Sequence, residues 1–489
     1  MYIGDIVIAL KVATLEDVTR AVEKQEREGG SLAHWLLEIG AVSPEVLHSV
    51  MSVIPRAPKT LAETGVSFSV LLNLLVKILY AVGVESPSEI GEVIKLPPRL
   101  VMELLDEAAN RQLLDILNGA EGGLTSERRF VLNKKGVEWA QSAMRQCEYV
   151  GAAPVPLAEF CRQIERQRIT NETIRQADIL REFGSLVVSQ ELMAKIGPAI
   201  NSGRSILLYG PPGNGKTSIA ERIGELFGGV AYLPYAFEVD GQIVKVLDPG
   251  LHRLVPKKAG QPQTIHREPI DQRWEACKRP VITVGGELTL EMLDLGYNAE
   301  ANVYEAPLHI KCLGGVFLID DFGRQMVTPK ALLNRWIVPL ESRVDFLKLH
   351  SGKSFSLPFD ELVIFSTNMS PADLMDAAFL RRIPYKIKIG APSVADYKEI
   401  FRRVANASGM EVSDELIEMI VTEISVNNSF ALASYQPKFI LDQVKAAVKF
   451  AETGAEIDLQ HIEMALDNLH TEDTPGHGVR AEVVKLKAA

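Results

Sequence analysis

The chain has 489 residues, of which 47% are hydrophobic and 24% are charged, and its formal net charge is −11. The composition is typical of a globular protein. The length exceeds what one compact core holds, so it predicts roughly three or four domains. The negative charge disfavours broad binding to nucleic acid, which requires a basic surface. The four cysteines form no C-x-x-C pair, which predicts reduced thiols in a cytoplasmic protein.

Residues 1–56 contain two similar half-units, each with a short helix, a break rich in hydrogen-bond acceptors and a second helix. Thr14 and Ser43 stand at the two breaks, where they predict helix N-caps. Asp17 completes a T-x-x-D capping box with Thr14. The pattern predicts a small helical domain at this end of the sequence.

The layout of this domain resembles the N-terminal domain of type II secretion and type IV pilus ATPases. Some of those domains bind cyclic di-GMP through two copies of a motif that begins Arg-Leu-Gly. The copies in this chain begin Tyr2-Ile3-Gly4 and Ser31-Leu32-Ala33. Both arginines, the groups suited to bidentate phosphate contacts, are therefore absent. A helical domain that docks a protein is the alternative to cyclic di-GMP binding.

Residues 57–150 resemble a winged-helix domain. An apolar helix over 68–82 and two further segments precede a glycine break at 118–127, and a strand and a closing helix follow. DNA binding and protein interaction are both open to such a domain. The would-be recognition helix carries Arg99 against Glu103, Asp106 and Glu107. Because phosphates repel an acidic helix before any base is read, the sequence favours protein interaction.

The apolar stretch at 66–84 is the one place where composition suggests a membrane helix. Ser69, Asn73 and Lys77 recur every four residues along it and form one polar stripe on an apolar helix. The stripe predicts a helix that is buried or faces a partner, rather than a membrane span.

After a Pro- and Ala-rich linker at 151–170, residues 171–392 carry the signs of a nucleotide-binding core. The stretch YGPPGNGKTSIA fits the P-loop pattern G-x-x-x-x-G-K-[ST] and lies between a short apolar strand and a segment with helical periodicity. Backbone N–H groups at such a helix N-terminus face phosphate oxygens, Lys216 would contact the β- and γ-phosphates, and Thr217 would hold Mg²⁺. The predicted ATP-binding residues are Gly210, Pro211, Pro212, Gly213, Asn214, Gly215, Lys216, Thr217 and Ser218.

Two further apolar strands end in polar side chains. The stretch GGVFLIDDFGRQ ends its strand with Asp320 and Asp321, and ELVIFSTNMSP ends its strand with Ser366, Thr367 and Asn368. A carboxylate at a strand end beside a P-loop can hold Mg²⁺, which makes Asp320 the second predicted metal ligand.

The order of P-loop, paired acids and a strand ending in Asn is that of AAA+ ATPases, and residues 171–470 resemble this family. The alternating stretch RVDFLKLHSGKSFSLPF predicts a β-hairpin just before the Asn-ending strand. A hairpin in this place resembles the clade of MoxR-like ATPases, replicative MCM helicases and sigma-54 activators. The nearest resemblance is to the MoxR-like group. The Gly-Ala-Phe-Thr-Gly-Ala loop of the sigma-54 activators is absent, which disfavours that branch.

The family resemblance implies roles for further residues. Asp321 stands where a catalytic glutamate usually polarises the attacking water, and Asn368 stands at the position of sensor 1. Arg382, with Arg381 as second choice, matches the arginine finger that reaches the γ-phosphate of a neighbouring subunit. Lys438 lies near the place of sensor 2, which is usually an arginine, so its role is open. The resemblance also implies a homo-oligomeric ring, with a hexamer favoured.

Residues 393–470 predict helices that resemble the AAA+ lid, and a short polar tail follows at 471–489. The separation of Lys216 from Asp320 is longer than a minimal AAA+ core requires, which predicts an insertion at 231–313. His252, His266 and His309 lie in it at spacings that suit no metal site.

Together these patterns predict an α/β protein with a P-loop AAA+ core, a parallel sheet and a helical lid, preceded by a small helical domain and a winged-helix-like domain. The expected activity is hydrolysis of ATP with Mg²⁺, used to remodel or regulate a protein partner that the N-terminal domains recruit. Two alternatives stay open: a DNA-binding regulator switched by ATP, and a cyclic di-GMP-responsive ATPase in pilus or secretion control.

Overall fold

The computed structural model describes residues 3–9, 12–117, 128–256, 270–427, 431–451 and 459–469. Tyr2 of the first motif copy, the glycine break at 118–127, His266 and the tail at 471–489 lie outside these ranges. Within the described ranges the chain forms two compact units. The first takes its residues from Met1–Glu182, Gln190–Tyr209 and Thr217–Ile387, and the second from Phe183–Ser189, Gly210–Lys216 and Lys388–Ala489.

Helices dominate both ends of the chain, and strands are concentrated in the middle. The helices are α1 Ile3–Ala9, α2 Leu15–Glu28, α3 Leu32–Glu38, α4 Pro44–Val53, α5 Phe68–Ala81, α6 Pro87–Ile94, α7 Pro98–Asn110, α8 Lys134–Gln146, α9 Leu157–Arg166, α10 Gln176–Glu182, α11 Gln190–Asn201, α12 Lys216–Leu226, α13 Leu308–Lys311, α14 Pro329–Arg335, α15 Ile337–Ser342, α16 Pro371–Leu374, α17 Ala377–Leu380, α18 Val394–Ala407, α19 Asp414–Thr422, α20 Gln436–Ala451 and α21 Leu459–Leu469. The strands are β1 Leu114–Leu117, β2 Arg129–Leu132, β3 Val155–Pro156, β4 Ile206–Tyr209, β5 Val230–Pro234, β6 Ala236–Val239, β7 Gln242–Lys245, β8 Trp274–Lys278, β9 Val281–Val284, β10 Gly296–Asn298, β11 Val303–Glu305, β12 Val316–Ile319, β13 Val344–Lys348, β14 Ser354–Pro358, β15 Leu362–Thr367 and β16 Tyr385–Lys388.

Helices α1 to α4 form the start of the first unit, and side chains cap α2 and α4 as the sequence predicts. The Asp17 N–H donates to Thr14 Oγ1 at 3.1 Å, and the Thr14 N–H donates to the Asp17 carboxylate at 3.0 Å. The Val46 N–H donates to Ser43 Oγ at 3.3 Å. Both predicted N-caps and the capping box are confirmed.

Helix α5 corresponds to the apolar stretch at 66–84, and its side chains are mostly buried against α6, α7 and α8. Lys77, on its polar stripe, is only 3% exposed and donates to the Cys147 carbonyl at 2.8 Å. Burial lowers the pKa of this lysine. The prediction of a buried helix is confirmed. None of the helices in the described ranges is both long and apolar enough to cross a membrane.

A five-stranded sheet with the order β16-β4-β15-β12-β9 forms the centre of the first unit. Strands β4, β15, β12 and β9 run parallel, and their apolar side chains are buried on both faces, as in sheets covered by helices. The predicted α/β class with a parallel sheet is confirmed. Because parallel strands end at one edge, Tyr209, Asp320 and Thr367 come to the same side of the sheet.

Two predicted boundaries need correction. The segment at 231–313 is not one insertion, because β9 lies inside it and pairs with β12 as a strand of the central sheet. The other strands of this segment belong to a second sheet, with the order β10-β11-β7-β6-β3, and to a separate β5–β8 pair. The linker predicted at 151–170 supplies β3 to that sheet, and its helix α9 buries Phe160 and Ile164. Its apolar side chains therefore make it part of the folded unit.

The chain segment after α4 is joined to the residues before β8 by hydrogen bonds to a buried ion pair. Arg273 and Asp271 are each 1% exposed, and the guanidinium donates to the Asp271 carboxylate at 2.8 Å. The same guanidinium donates to the Thr64 carbonyl at 2.9 Å and to the Pro154 carbonyl at 3.3 Å. The Asp271 N–H donates to the Pro55 carbonyl at 3.0 Å. These bonds fasten three distant chain segments together within the first unit.

The second unit is mainly the helical bundle α18 to α21. Ser393 and Ser413 cap α18 and α19 with their hydroxyl oxygens. Buried Tyr397, Phe401 and Ile440 belong to one hydrophobic core that is separate from the cores of the first unit. This bundle therefore has the burial pattern of an independent helical domain.

Candidate nucleotide-binding site

The P-loop follows β4 and leads into α12, which is the strand–loop–helix context that the motif requires. Gly210 has φ +143°, and a Cβ atom there would lie 2.0 Å from the Ile389 carbonyl oxygen, so only glycine fits. Lys216 is 7% exposed, and its ammonium group donates to the carbonyls of Gly210 at 3.0 Å and Pro211 at 2.8 Å. The loop thus holds its lysine inward, over its own backbone.

The segment before α20 bonds to the P-loop inside the second unit. The Tyr435 N–H donates to the Gly213 carbonyl at 2.9 Å, and the Ser434 N–H donates to the Asn214 side-chain oxygen at 3.2 Å. Gly213 has φ +75°, and a Cβ atom there would lie 2.3 Å from the Tyr435 ring. Glycine is therefore required by both the backbone angle and the ring.

In the first unit, Thr217 and Asp320 meet. The Thr217 hydroxyl donates to an Asp320 carboxylate oxygen at 2.7 Å, although the two residues are far apart in the sequence. A hydroxyl and a carboxylate are oxygen ligands of the kind Mg²⁺ prefers, and Mg²⁺ usually takes one or two carboxylates together with water and phosphate oxygens. The pair that the sequence names as metal ligands thus fits a magnesium ion in both chemistry and position.

The described residues hold no group of three or more His, Cys, Asp or Glu side chains that could bind a metal by themselves. His252 and His309 are buried instead in protein contacts. His252 accepts from the Asp248 N–H at 2.9 Å, and His309 Nε2 lies 2.7 Å from Asp345. A magnesium ion held by Thr217 and Asp320 would take its remaining ligands from water and phosphate oxygens.

Asp321 follows Asp320 in an unusual backbone conformation. Its φ is +48°, the left-handed region that a non-glycine residue seldom adopts but that Asp and Asn tolerate best. Its carboxylate accepts the Asn368 side-chain amide at 3.1 Å. The structure thus brings together the two residues that family resemblance names as water-activating acid and sensor 1.

The end of β15 fastens the turn that carries both acids. The Phe322 N–H donates to the Ser366 carbonyl at 2.6 Å, and the Thr367 hydroxyl donates to the Phe322 carbonyl at 2.7 Å. Thr367 Oγ1 also accepts the Met369 N–H at 3.2 Å. The polar residues that end the two strands therefore form one hydrogen-bonded group.

The two arginines proposed as finger differ in environment. Arg382 pairs with Glu341 at 2.8 Å, lies beside the Phe379 ring, and has a side chain only 12% exposed. Arg381 is exposed. The Arg382 guanidinium is therefore held in an ion pair within its own chain, whereas Arg381 lies at the surface.

The remaining predicted residues lie at the surface or the rim of the P-loop. Pro211, Pro212 and Ser218 are exposed, and Lys438 is exposed in the first turn of α20. Lys438 shares the second unit with Gly210–Lys216.

Sequence reasoning missed three residues that touch this region: Gln325, which bonds to the backbone of the acidic turn, Tyr435, which covers Gly213, and Glu341, which pairs with Arg382. None of the three was assigned a role from its motif or position. The contacts of Tyr435 and Glu341 come from distant parts of the chain, and Gln325 had no sequence signal beyond its position just after the paired acids.

Comparison with known proteins adds similarity over part of the chain. A family model described as a domain of unknown function (DUF8689) matches residues 393–468, the helical bundle. Over 225 residues the chain is 25% identical to a proteasome-activating nucleotidase from Archaeoglobus fulgidus, covering 43% of this chain and 55% of that protein. A proteasome-activating nucleotidase from Thermococcus gammatolerans is 28% identical over 202 residues, covering 39% of this chain and 49% of that protein. The chain spans about half the length of these curated relatives.

Solved structures give weaker likenesses. Domain III of the replication initiation protein DnaA from Thermotoga maritima aligns with a TM-score of 0.33 and 14% identity, over 58% of this chain and 95% of that one. The RuvB Holliday junction branch migration motor from the same organism aligns with a TM-score of 0.32 and 16% identity, over 58% of this chain and 70% of that one. TM-scores this low carry no information on function. Sequence similarity thus relates part of this chain to archaeal proteasome-activating nucleotidases.

Proposed function

We propose that this protein is an AAA+ ATPase that binds ATP with Mg²⁺ at Gly210–Thr217, hydrolyses it, and uses the energy to remodel or regulate a protein partner. The observation that carries the proposal is the 2.7 Å contact between the Thr217 hydroxyl and the Asp320 carboxylate. It joins the last residue of a complete P-loop motif to the acid at the end of a parallel strand. Similarity to proteasome-activating nucleotidases supports the same class.

ATP binding would use the P-loop backbone and Lys216. The N–H groups at the start of α12 offer partial positive charge to the phosphates. Lys216 would exchange its bonds to the Gly210 and Pro211 carbonyls for the β- and γ-phosphate oxygens. Thr217 and Asp320 would hold Mg²⁺, which when bound neutralises charge on the phosphates.

Hydrolysis would use Asp321 and Asn368. The Asp321 carboxylate would accept a proton from the attacking water, and Asn368 would orient either that carboxylate or the water. Their 3.1 Å contact holds the acceptor and the orienting amide together. Asp321 has the chemistry of a general base with shorter reach than a glutamate.

We further propose a homo-oligomeric ring in which Arg381 of one chain serves the γ-phosphate bound by the next. Such a guanidinium stabilises charge on the transferring phosphoryl group and is worth about 10³–10⁵-fold in rate when a partner supplies it. The exposure of Arg381, against the ion pair of Arg382 with Glu341, supports this choice.

A protein partner is favoured over nucleic acid by the surface of α7. Glu103 and Asp106 are exposed there beside Arg99, so the face that would enter a DNA groove is acidic. Cyclic di-GMP is disfavoured as well, because Ser31, in the place of the second motif arginine, caps α3 by accepting the His34 N–H at 3.1 Å.

The test is phosphate release from ATP by the full chain with and without Mg²⁺, together with calorimetric ATP binding. Release that requires Mg²⁺ is expected. Thr217→Ala should raise the Mg²⁺ concentration needed for half-maximal release, whereas Thr19→Ala, which removes the hydroxyl of an exposed threonine on α2, should not. ATP binding without hydrolysis would replace the motor with an ATP-switched regulator, and no ATP binding would overturn the proposal.

A further inference from the structure

The turn after β12 holds its acids in a conformation that needs support. Asp321 has φ +48° and Gly323 has φ +108°, so two of three successive residues are in regions unfavourable for ordinary side chains. The Arg324 N–H closes the turn by donating to the Asp321 carbonyl at 2.9 Å. The direction of the Asp321 carboxylate depends on whether this turn keeps its shape.

The Gln325 side chain bonds to this turn at three points. Its Nε2 donates to the Asp320 carbonyl at 2.9 Å and to the Asp321 carbonyl at 3.2 Å. Its Oε1 accepts the Gly323 N–H at 2.8 Å. In these three bonds the amide uses both its donor and its acceptor atom on the backbone of the turn.

The opposite side of the turn is bonded to β15, through the Ser366 carbonyl and the Thr367 hydroxyl. The turn therefore lies between a strand end and the Gln325 amide. Met326, the residue after Gln325, is anchored too, because its N–H donates to the Gly286 carbonyl at 3.2 Å beside the end of β9. Gln325 is consequently fixed at its backbone and can hold the turn in place.

We propose that Gln325 is a positioning residue for ATP hydrolysis: its side-chain amide holds the turn at 320–323 so that the Asp321 carboxylate stays against Asn368. This inference rests on the proposed ATPase function. Gln325 acts through Asp321 and does not bind the nucleotide, so its loss should affect turnover and leave ATP binding intact.

The experiment compares full-length parent, Gln325→Ala and Gln325→Glu proteins for kcat, for calorimetric ATP affinity and for thermal unfolding. Gln325→Glu keeps the acceptor for Gly323 but faces two carbonyl oxygens with a carboxylate in place of a donor. Gln242→Ala, the same change at a half-buried glutamine on β7, is the control. We expect kcat to fall on the order of 10-fold in both Gln325 variants, as when a group that orients a reacting residue is removed. ATP affinity should stay within about twofold, and Gln242→Ala should match the parent.

A second readout separates positioning from general stability. In single-turnover reactions, Gln325→Ala should lower the hydrolysis rate when introduced into the parent protein. Introduced into the Asp321→Asn protein, it should cause no further loss of rate, because the carboxylate that Gln325 positions is already absent. Parent-like kcat in Gln325→Ala, an equal fractional loss in both backgrounds, or a parallel loss of ATP affinity would overturn the inference while leaving the ATPase function standing. Absence of ATP hydrolysis by the parent would overturn both.

Discussion

The side-chain amide of Asn368 donates to the carboxylate of Asp321 across 3.1 Å and so joins the residues that follow two neighbouring parallel strands. Strands β12 and β15 pair in register from Val316 and Leu362 to Ile319 and Phe365, and the turn that follows β12 then brings Asp321 to Asn368. Two groups held in this way would act on one water molecule as a pair. Their separate losses in rate should therefore not add.

Asp321→Asn should retain ATP binding and lose turnover by about 10²–10⁴-fold, the usual contribution of a positioned acid or base. Asparagine tolerates the left-handed backbone that Asp321 adopts, so the fold should be unchanged. Steady-state phosphate release and calorimetry check the two halves of this prediction. Normal turnover in the variant would place the base elsewhere.

Lys216→Ala should weaken ATP binding at least about tenfold, since hydrogen bonds to charged groups contribute ~1.5–3 kcal/mol each. Calorimetry measures the change. The matched control is Lys195→Ala, which removes an exposed lysine of α11 whose ion pair is with Glu191, one helical turn away. Equal affinity in the Lys216 variant and the parent would contradict the assigned role of the P-loop lysine.

Arg381→Ala alone should be nearly inactive, and mixing it with inactive Lys216→Ala should restore part of the activity. Mixed rings would contain sites with an intact P-loop beside an intact arginine. Arg382→Ala should instead lower the thermal unfolding temperature, because it strips Glu341 of its partner. Rescue of Arg382→Ala but not of Arg381→Ala would move the finger to Arg382, and activity per chain that is flat with concentration would argue against a ring.

Gly213→Ala should destabilise the second unit more than Gly215→Ala does. Both positions have positive φ, for which a non-glycine residue costs about 1–3 kcal/mol. A Cβ at position 213 also meets the Tyr435 ring, whereas no atom lies within 4 Å of one at position 215. Thermal unfolding without nucleotide measures the order. Tyr435→Ala should recover part of the loss at position 213 only.

Glu361→Gln should stabilise the protein increasingly as pH rises. Glu361 is fully buried, and neither carboxylate oxygen has a hydrogen-bond partner among the described residues. Burial raises its pKa well above the ordinary value despite the nearby Arg343 guanidinium. The folded state therefore holds a proton that the unfolded state releases above about pH 4.5, the ordinary glutamate value.

The sign of this effect follows from the raised pKa. The contribution of Glu361 to stability is intact below the unfolded pKa and declines with rising pH until the folded pKa is passed, by at most about 1.4 kcal/mol per pH unit. Urea unfolding of parent and Glu361→Gln between pH 5 and pH 8 measures the gap. A gap that does not widen with pH would show that the carboxyl is already ionised in the folded state.

The strands and helices of the candidate nucleotide site were predictable because each carries a local signal. The P-loop has its motif, β12 and β15 are apolar runs that end in acids and amides, and the Thr14 and Ser43 caps follow from side-chain chemistry at a helix start. Pairing within the sheet then brings Thr217 to Asp320 and Asn368 to Asp321, as the order of elements implies.

Features that depend on contacts between distant segments were not predictable. Strand β9 has an ordinary short apolar sequence, and only its partner β12 shows that it belongs to the central sheet rather than to an insertion. The left-handed backbone of Asp321 likewise has no signal in the sequence, because it results from hydrogen bonds to Gln325 and to β15. The segment with α9 was predicted as a linker, because the residues that bury its apolar side chains come from distant parts of the chain.

The ion pair of Arg273 with Asp271 limits where the polypeptide can be truncated. A polypeptide ending near residue 150 would keep the Thr64 carbonyl but lose the guanidinium bonded to it, and would expose Leu47 and Val50, which share one hydrophobic core with α9. The complementary polypeptide would bring a previously enclosed charge to the solvent. Neither half should express as a stable product, so capture of a cellular partner requires the intact chain as bait, with point substitutions in place of truncations.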